Sequence, residues 1–203
     1  RRYVQLYGPE ALQPHRKEPL PFSVFQDMLN LHSLTGAVIN GRVVGKDKFF
    51  WSHYYAAMCV CRQTGYRKAE VSVADSLTWG MTHMSRASVV WRIRGVDYVD
   101  PTREQLLSLD ENDLALVKSP PMKNDQFGDK YGMYPSYLPY YAAPDSAAWR
   151  LAQLELDFPC HGEKRRSTPL FCSEPSVPFT HSVLDSTLRA MLRVVLQDDN
   201  KVN

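Results

Sequence analysis

Apolar positions fall into four helical stretches, with β-like alternation between the second and third. Phe25, Met28, Leu29 and Leu31 recur at helical spacing and predict a helix over 24–34, capped by Ser23. Residues 49–63 are apolar and continuous enough for a buried helix, and Gly65 stands where such a helix should stop. Ala148, Leu151, Ala152 and Leu154 make the stripe of a helix over 145–157. Thr180 caps a last helix over 181–196, with Val183, Leu184, Thr187, Leu188, Met191 and Leu192 facing inward.

Residues 88–94 (SVVWRIR) have strand composition, and 113–118 (DLALVK) alternate polar and apolar as a half-buried strand does. Residues 135–140 (PSYLPY) predict a partner strand, placed at an edge by its two prolines. The connection over 119–134 is long and polar, with Gly128 and Gly132. Residues 35–48, with Gly36, Gly41 and Gly45, are expected to form a loop, 102–109 a short helix or turn, and 168–172 a short extended piece. The first 21 residues are basic and carry Pro9, Pro14, Pro19 and Pro21, which block both helix and central strand. They predict a linker or the end of a preceding domain, with one domain over 22–203. The fold class expected is α+β: mostly helical, with a small antiparallel β-sheet of about three strands.

Composition narrows this only a little. Hydrophobic residues at 44% and charged residues at 23% exclude a wholly disordered chain. The apolar runs fall well short of the ~20 residues that span a bilayer, so no membrane partner is expected. No basic-then-apolar leader follows Arg1, so the protein is not expected to be secreted. Net charge is +2, but residues 1–100 hold 13 basic and 8 acidic residues while 101–203 hold 11 and 14. A basic N-terminal half suits a polyanionic partner and equally suits an ordinary surface. Cys59 and Cys61 have neither redox nor zinc spacing, and with Cys160 and Cys172 they are expected to be free thiols. Nucleotide-loop, dinucleotide, HExxH and GxSxG patterns are all missing, so no nucleotide, metal or other cofactor is expected.

One segment carries candidate chemistry: Thr64-Gly65-Tyr66-Arg67-Lys68-Ala69-Glu70. A helix ends at a glycine, an arginine follows two residues on, and Glu70 lies three residues after it, on the same side of a new helical turn. A guanidinium fixed at a helix junction can make two parallel hydrogen bonds to phosphate oxygens. The same spacing also suits a plain surface ion pair.

This segment resembles the first catalytic box of the tyrosine recombinase (phage integrase-like) family, T-G-x-R-x-x-E after a hydrophobic helix. The chain supplies that helix in Tyr55-Ala56-Ala57-Met58-Cys59-Val60, then TGYRKAE, then Val71. Downstream, Leu114–Lys118, then the K-x-D-Q-F-G string of Lys123 to Gly128, then Tyr137-Leu138-Pro139 are similar to the family's lysine-bearing hairpin, in its eukaryotic mobile-element form. Thr168-Pro169-Leu170-Phe171 with Pro178-Phe179-Thr180 resembles the family's lead into the helix before its second box. The resemblance spans about residues 15–196. It departs at the end: no H-x-x-R is present there, His181 being followed by Ser182, Val183 and Leu184, and the chain stops at Asn203. The expectation is a partial catalytic domain over 22–203, inactive by itself, after a linker or the end of a DNA-binding domain over 1–21.

The resemblance implies cofactor-free DNA breaking and rejoining for recombination and integration. A tyrosine captures the phosphodiester covalently, arginines stabilise charge on its oxygens, and a hairpin lysine protonates the leaving oxygen. By position, Arg67 is the first arginine, Glu70 its orienting carboxylate and Lys123 the lysine, with Lys130 and Lys118 as alternatives. Double-stranded DNA is the implied partner, with self-assembly upon it, and a nuclear, nucleoid or cytoplasmic location follows. Phosphate-contact candidates are Arg16, Lys17, Arg42, Lys46, Lys48, Arg62, Lys68 and Arg86. Trp79, Trp91 and Trp149 are expected in the core rather than under bases, and His53, His83 and His161 are isolated. Two other readings stay open: a non-catalytic DNA-binding or interaction domain that keeps the fold, and an unrelated α+β protein.

Overall fold

A computed structural model describes residues 20–31, 36–80, 82–118 and 135–196. The architecture is α+β, as expected. Helix α1 (Phe22–Asn30) starts directly after Pro21 and buries Phe25, Met28 and Leu29. It begins two residues before the expected start, because Pro21 presets the backbone for the first turn and Ser23 falls inside the helix.

The expected loop over 35–48 contains a small hairpin, β1 (Val38–Ile39) with β2 (Arg42–Val43). Asn40 and Gly41 take φ of 50° and 76° between the strands. An Asn-Gly pair with both φ positive is the turn that matches strand twist, and it overrides the glycine-rich loop reading.

Helix α2 (Lys48–Thr64) is the centre of the molecule. Asp47 caps it by accepting from the Phe50 amide at 3.2 Å, and Gly65 ends it at φ 73°, donating to the Cys61 carbonyl at 2.9 Å. It buries Phe50, Trp51, Tyr54, Tyr55, Ala56, Ala57, Cys59 and Val60, more than one face of a surface helix can hold. The one-turn helix α3 (Lys68–Val71) follows at once, then short 3₁₀ turns at Ser76–Thr78 and Arg86–Ser88.

The main sheet has four strands rather than three: β3 (Val89–Ile93), β4 (Val96–Tyr98), β5 (Leu114–Val117) and β6 (Ser136–Pro139). Their order is β4-β3-β5-β6, antiparallel throughout, with helix α4 (Arg103–Leu107) between β4 and β5 in the chain. The unexpected β4 is reached through Arg94 and Gly95, both at positive φ in a two-residue turn. The registers Trp91↔Ala115, Val89↔Val117 and Ala115↔Leu138 put five buried side chains on one face, toward the helices. Strand β6 is an edge strand, as its prolines predict.

Helix α5 (Ala147–Asp157) is capped by Ser146, whose hydroxyl accepts from the Trp149 amide at 3.2 Å. It lies along α2, joined at one end by Lys48–Asp157 and at the other by Gln63 accepting from the Ala147 amide. Helix α6 (Lys164–Ser167), the hairpin β7 (Cys172–Glu174) with β8 (Val177–Pro178) and helix α7 (His181–Leu196) complete the described chain. Thr180 accepts from the Val183 amide at 3.3 Å at the start of α7, the cap the sequence predicts. Among the described residues no helix is long and apolar enough to cross a membrane.

Candidate functional site

The segment after α2 is placed by three local devices. Gly65 reverses the chain without a Cβ penalty. Tyr66 turns inward, and its hydroxyl lies 2.9 Å from Ser136 Oγ and 3.3 Å from the Val117 carbonyl. Those two residues are the paired ends of β5 and β6, where the 119–134 connection leaves the sheet. Tyr66, the residue before Arg67, is thereby fixed to these strand ends, while Arg67 is exposed and makes no ion pair among the described residues.

Glu70 does not grip that guanidinium as an orienting carboxylate would. Its Oε2 accepts from the Arg67 backbone N–H at 2.7 Å, closing the first turn of α3. It orients Arg67 through the main chain. Lys68, the next residue, pairs with Asp185 on α7. A parallel bridge between Val73 and Thr180, with the His181 amide donating to Val73 O at 2.8 Å, ties the same segment to the start of α7. Tyr66 and Lys68 also line an apolar cleft of about 400 Å³ with Phe25, Tyr54, Met58 and Leu188.

Of the hairpin lysines, Lys123 and Lys130 lie outside the described residues. Lys118 is exposed at the end of β5, its amide donating to Ser88 O at 2.8 Å.

The phosphate-contact candidates separate. Arg16 and Lys17 lie outside the described residues. Lys46 and Arg62 are exposed, Arg62 stacking its guanidinium 4.5 Å over the Phe22 ring. Lys48 is exposed and paired with Asp157. Arg42 is half-buried, bound to Asp47 and lying 4.1 Å over the Phe50 ring, so its charge is committed within the fold.

Arg86 requires a correction. It is only 2% exposed and cannot touch a duplex surface. Its Nη1 sits 3.3 Å from Glu155 Oε2, and Glu155 is also held bidentately by the buried Arg165 at 2.9 and 3.0 Å. Arg165 further donates to the Cys160 and Arg86 carbonyls. This arginine–carboxylate–arginine cluster joins α5, α6 and the turn before β3. Sequence reasoning missed it because its members are 69 and 10 residues apart, and nothing local distinguishes Arg165 from its exposed neighbours Lys164 and Arg166.

His53 is also buried. Its Nδ1 lies 2.9 Å from the Phe49 carbonyl, to which the neutral ring donates. Burial lowers its pKa to about 3, against that hydrogen bond and with help from the Arg86 charge. All four cysteines are free thiols, and burial pushes Cys59, Cys61 and Cys172 up to about 12. Trp91 is fully buried, whereas Trp79 and Trp149 are half-exposed. No group of His, Cys, Asp and Glu able to hold a metal ion occurs among the described residues.

No family model matches the chain, and no curated protein or solved structure matches it.

Proposed function

We propose that the chain binds the phosphodiester backbone of double-stranded DNA through Arg67, next to Tyr66 at the root of the β5–β6 hairpin. It would do so as part of a tyrosine recombinase-type catalytic domain acting in DNA recombination and integration. The observation that carries this reading is the anchoring of Tyr66 on Val117 and Ser136. It ties the residue next to Arg67 to the strand ends from which the 119–134 connection departs, and the Arg67 guanidinium is in no ion pair among the described residues. Both the surface ion pair and the family's orienting carboxylate would have placed Glu70 on that guanidinium. The carboxylate is occupied by the backbone instead.

Arg67 offers a planar, permanently charged fork to non-bridging phosphate oxygens. One such group positions a phosphate. Stabilising the charge of a five-coordinate phosphorus centre and capturing the strand need the second arginine and the tyrosine of the second box, and no H-x-x-R follows the sheet in these 203 residues; the one such string, His83 to Arg86, precedes it and its arginine is buried. They bind without cutting.

The test is fluorescence anisotropy with a labelled duplex across a salt series. Arg67→Ala should weaken binding and reduce the slope of log affinity against log salt by about 0.9, the value of one phosphate contact. Arg103→Ala, another exposed arginine, should leave both unchanged. An Arg67→Ala slope equal to that of the unmodified protein overturns the reading. A nicked suicide substrate should yield no covalent adduct with the 203-residue chain. An adduct would show that the nucleophile lies within it.

A further inference from the structure

The buried cluster of Arg86, Arg165 and Glu155 holds two guanidinium charges and one carboxylate. Arg165 is engaged on both Nη atoms, with the carboxylate and two carbonyls. Arg86 is not. Its Nη2 donates to the Phe158 carbonyl at 3.2 Å, while its Nε and Nη1 have no hydrogen-bond partner among the described residues, although the residue is 98% buried. Nη1 stays within ion-pair distance of Glu155 Oε2 at 3.3 Å, but Nε has left water without gaining a hydrogen bond, which is costly for a buried guanidinium.

Arg86, unlike Arg165, lines a cleft of about 600 Å³. One wall of that cleft is aromatic: the Phe49 ring lies 4.1 Å from His53 and 4.9 Å from Phe158, centre to centre. Lys164 stands on its rim, exposed and with no carboxylate partner among the described residues, beside Glu163, whose carboxylate lies 3.8 Å from Arg166. With Nδ1 donating to Phe49, the neutral His53 brings no second charge to the floor. An excess positive charge at the bottom, flat apolar rings at the side and a cation at the mouth make a site for one kind of guest.

We propose that this cleft binds a small organic oxyanion: a phosphate or carboxylate head seated on Arg86, with a planar apolar body against Phe49 and Phe158. The head neutralises the surplus charge of the cluster. The volume exceeds what a bare phosphate fills, so the body is part of the recognition. The site lies at the α2 N-terminus and shares no residue with the Arg67 segment, so it stands or falls separately from DNA binding.

The experiment is calorimetric titration of the 203-residue protein with phenyl phosphate, benzoate and inorganic phosphate, ionic strength being matched with chloride. One saturable site is expected for phenyl phosphate or benzoate, whichever head fits, and at least about tenfold weaker binding for inorganic phosphate. Arg86→Met should abolish binding, and Lys164→Glu should weaken it about threefold to tenfold. If Arg86→Met does not fold, Lys164→Glu and the cleft-plugging Pro175→Trp, both at exposed positions, decide the matter. Three results would each overturn the proposal: no binding by any probe at about 10 mM, inorganic phosphate matching phenyl phosphate, or binding unmoved by both exposed-site variants. The cluster would then be a purely structural ion triad.

Discussion

The Tyr66 hydroxyl lies 2.9 Å from Ser136 Oγ, which locks the residue before Arg67 to the first residue of the last sheet strand. Tyr66→Phe removes that bond and the one to the Val117 carbonyl. It should cost about 1 kcal/mol in urea unfolding. It should also bring the salt slope of DNA binding toward that of Arg67→Ala, because the guanidinium loses its mooring. Unchanged stability would mean that the hydroxyl contact does not fix this segment.

Gly65 sets the direction in which the chain leaves α2. An added Cβ would meet no atom within 4 Å, so a substitution there is penalised only by the left-handed backbone at φ 73°. Gly65→Ala should destabilise by about 1–2 kcal/mol, and Gly65→Asn by less, since asparagine tolerates that region. Chemical denaturation of the three proteins in parallel checks the ranking.

His53 makes the fold acid-sensitive. Its pKa is about 3 in the folded protein against 6.5 ordinarily. Between those values the unfolded chain binds one more proton than the folded one, so stability falls as pH falls through the window. The slope is about 1.4 kcal/mol per pH unit. His53→Gln should lose roughly 2–3 kcal/mol less than the unmodified protein between pH 6.5 and 4.5, a range chosen to lie mostly above carboxylate titration. Parallel urea titrations at the two pH values measure the difference, and identical losses would contradict a buried neutral imidazole.

Cys59, Cys61 and Cys172 have their thiols pushed up to about 12 by burial. At pH 8 the thiolate fraction is then roughly a thousandfold below that of a thiol at 9. Iodoacetamide should label these three only after unfolding, as read by peptide mass spectrometry. Rapid labelling of any of them in the native protein would show that its site opens.

Much of the fold is legible in local chemistry. The apolar run over 49–63 and Gly65 give α2 to within one residue at each end, and Thr180 marks the start of α7. What escaped were β1, β2 and β4, strands of two or three residues beside the turns Asn40-Gly41 and Arg94-Gly95, too short to show periodicity. The position of Arg67 follows from its glycine. The roles of its neighbours do not, because a carboxylate three residues on can reach either a side chain or a backbone amide, and only coordinates distinguish them. Arg86 shows the larger gap. An arginine in a polar stretch looks like surface, and the carboxylate that draws it inward lies 69 positions away.

Among the described residues the sheet ends at β6, where Tyr137 is well exposed and offers an inviting flank to any stray β-segment. The Tyr140 amide points inward to the Asp113 carbonyl, so position 139 faces the outside. There Pro139 has no N–H to give. A foreign strand laid along this margin would find its hydrogen-bond ladder missing a rung, which protects the protein from sheet-to-sheet polymerisation at the very margin that carries its exposed tyrosine.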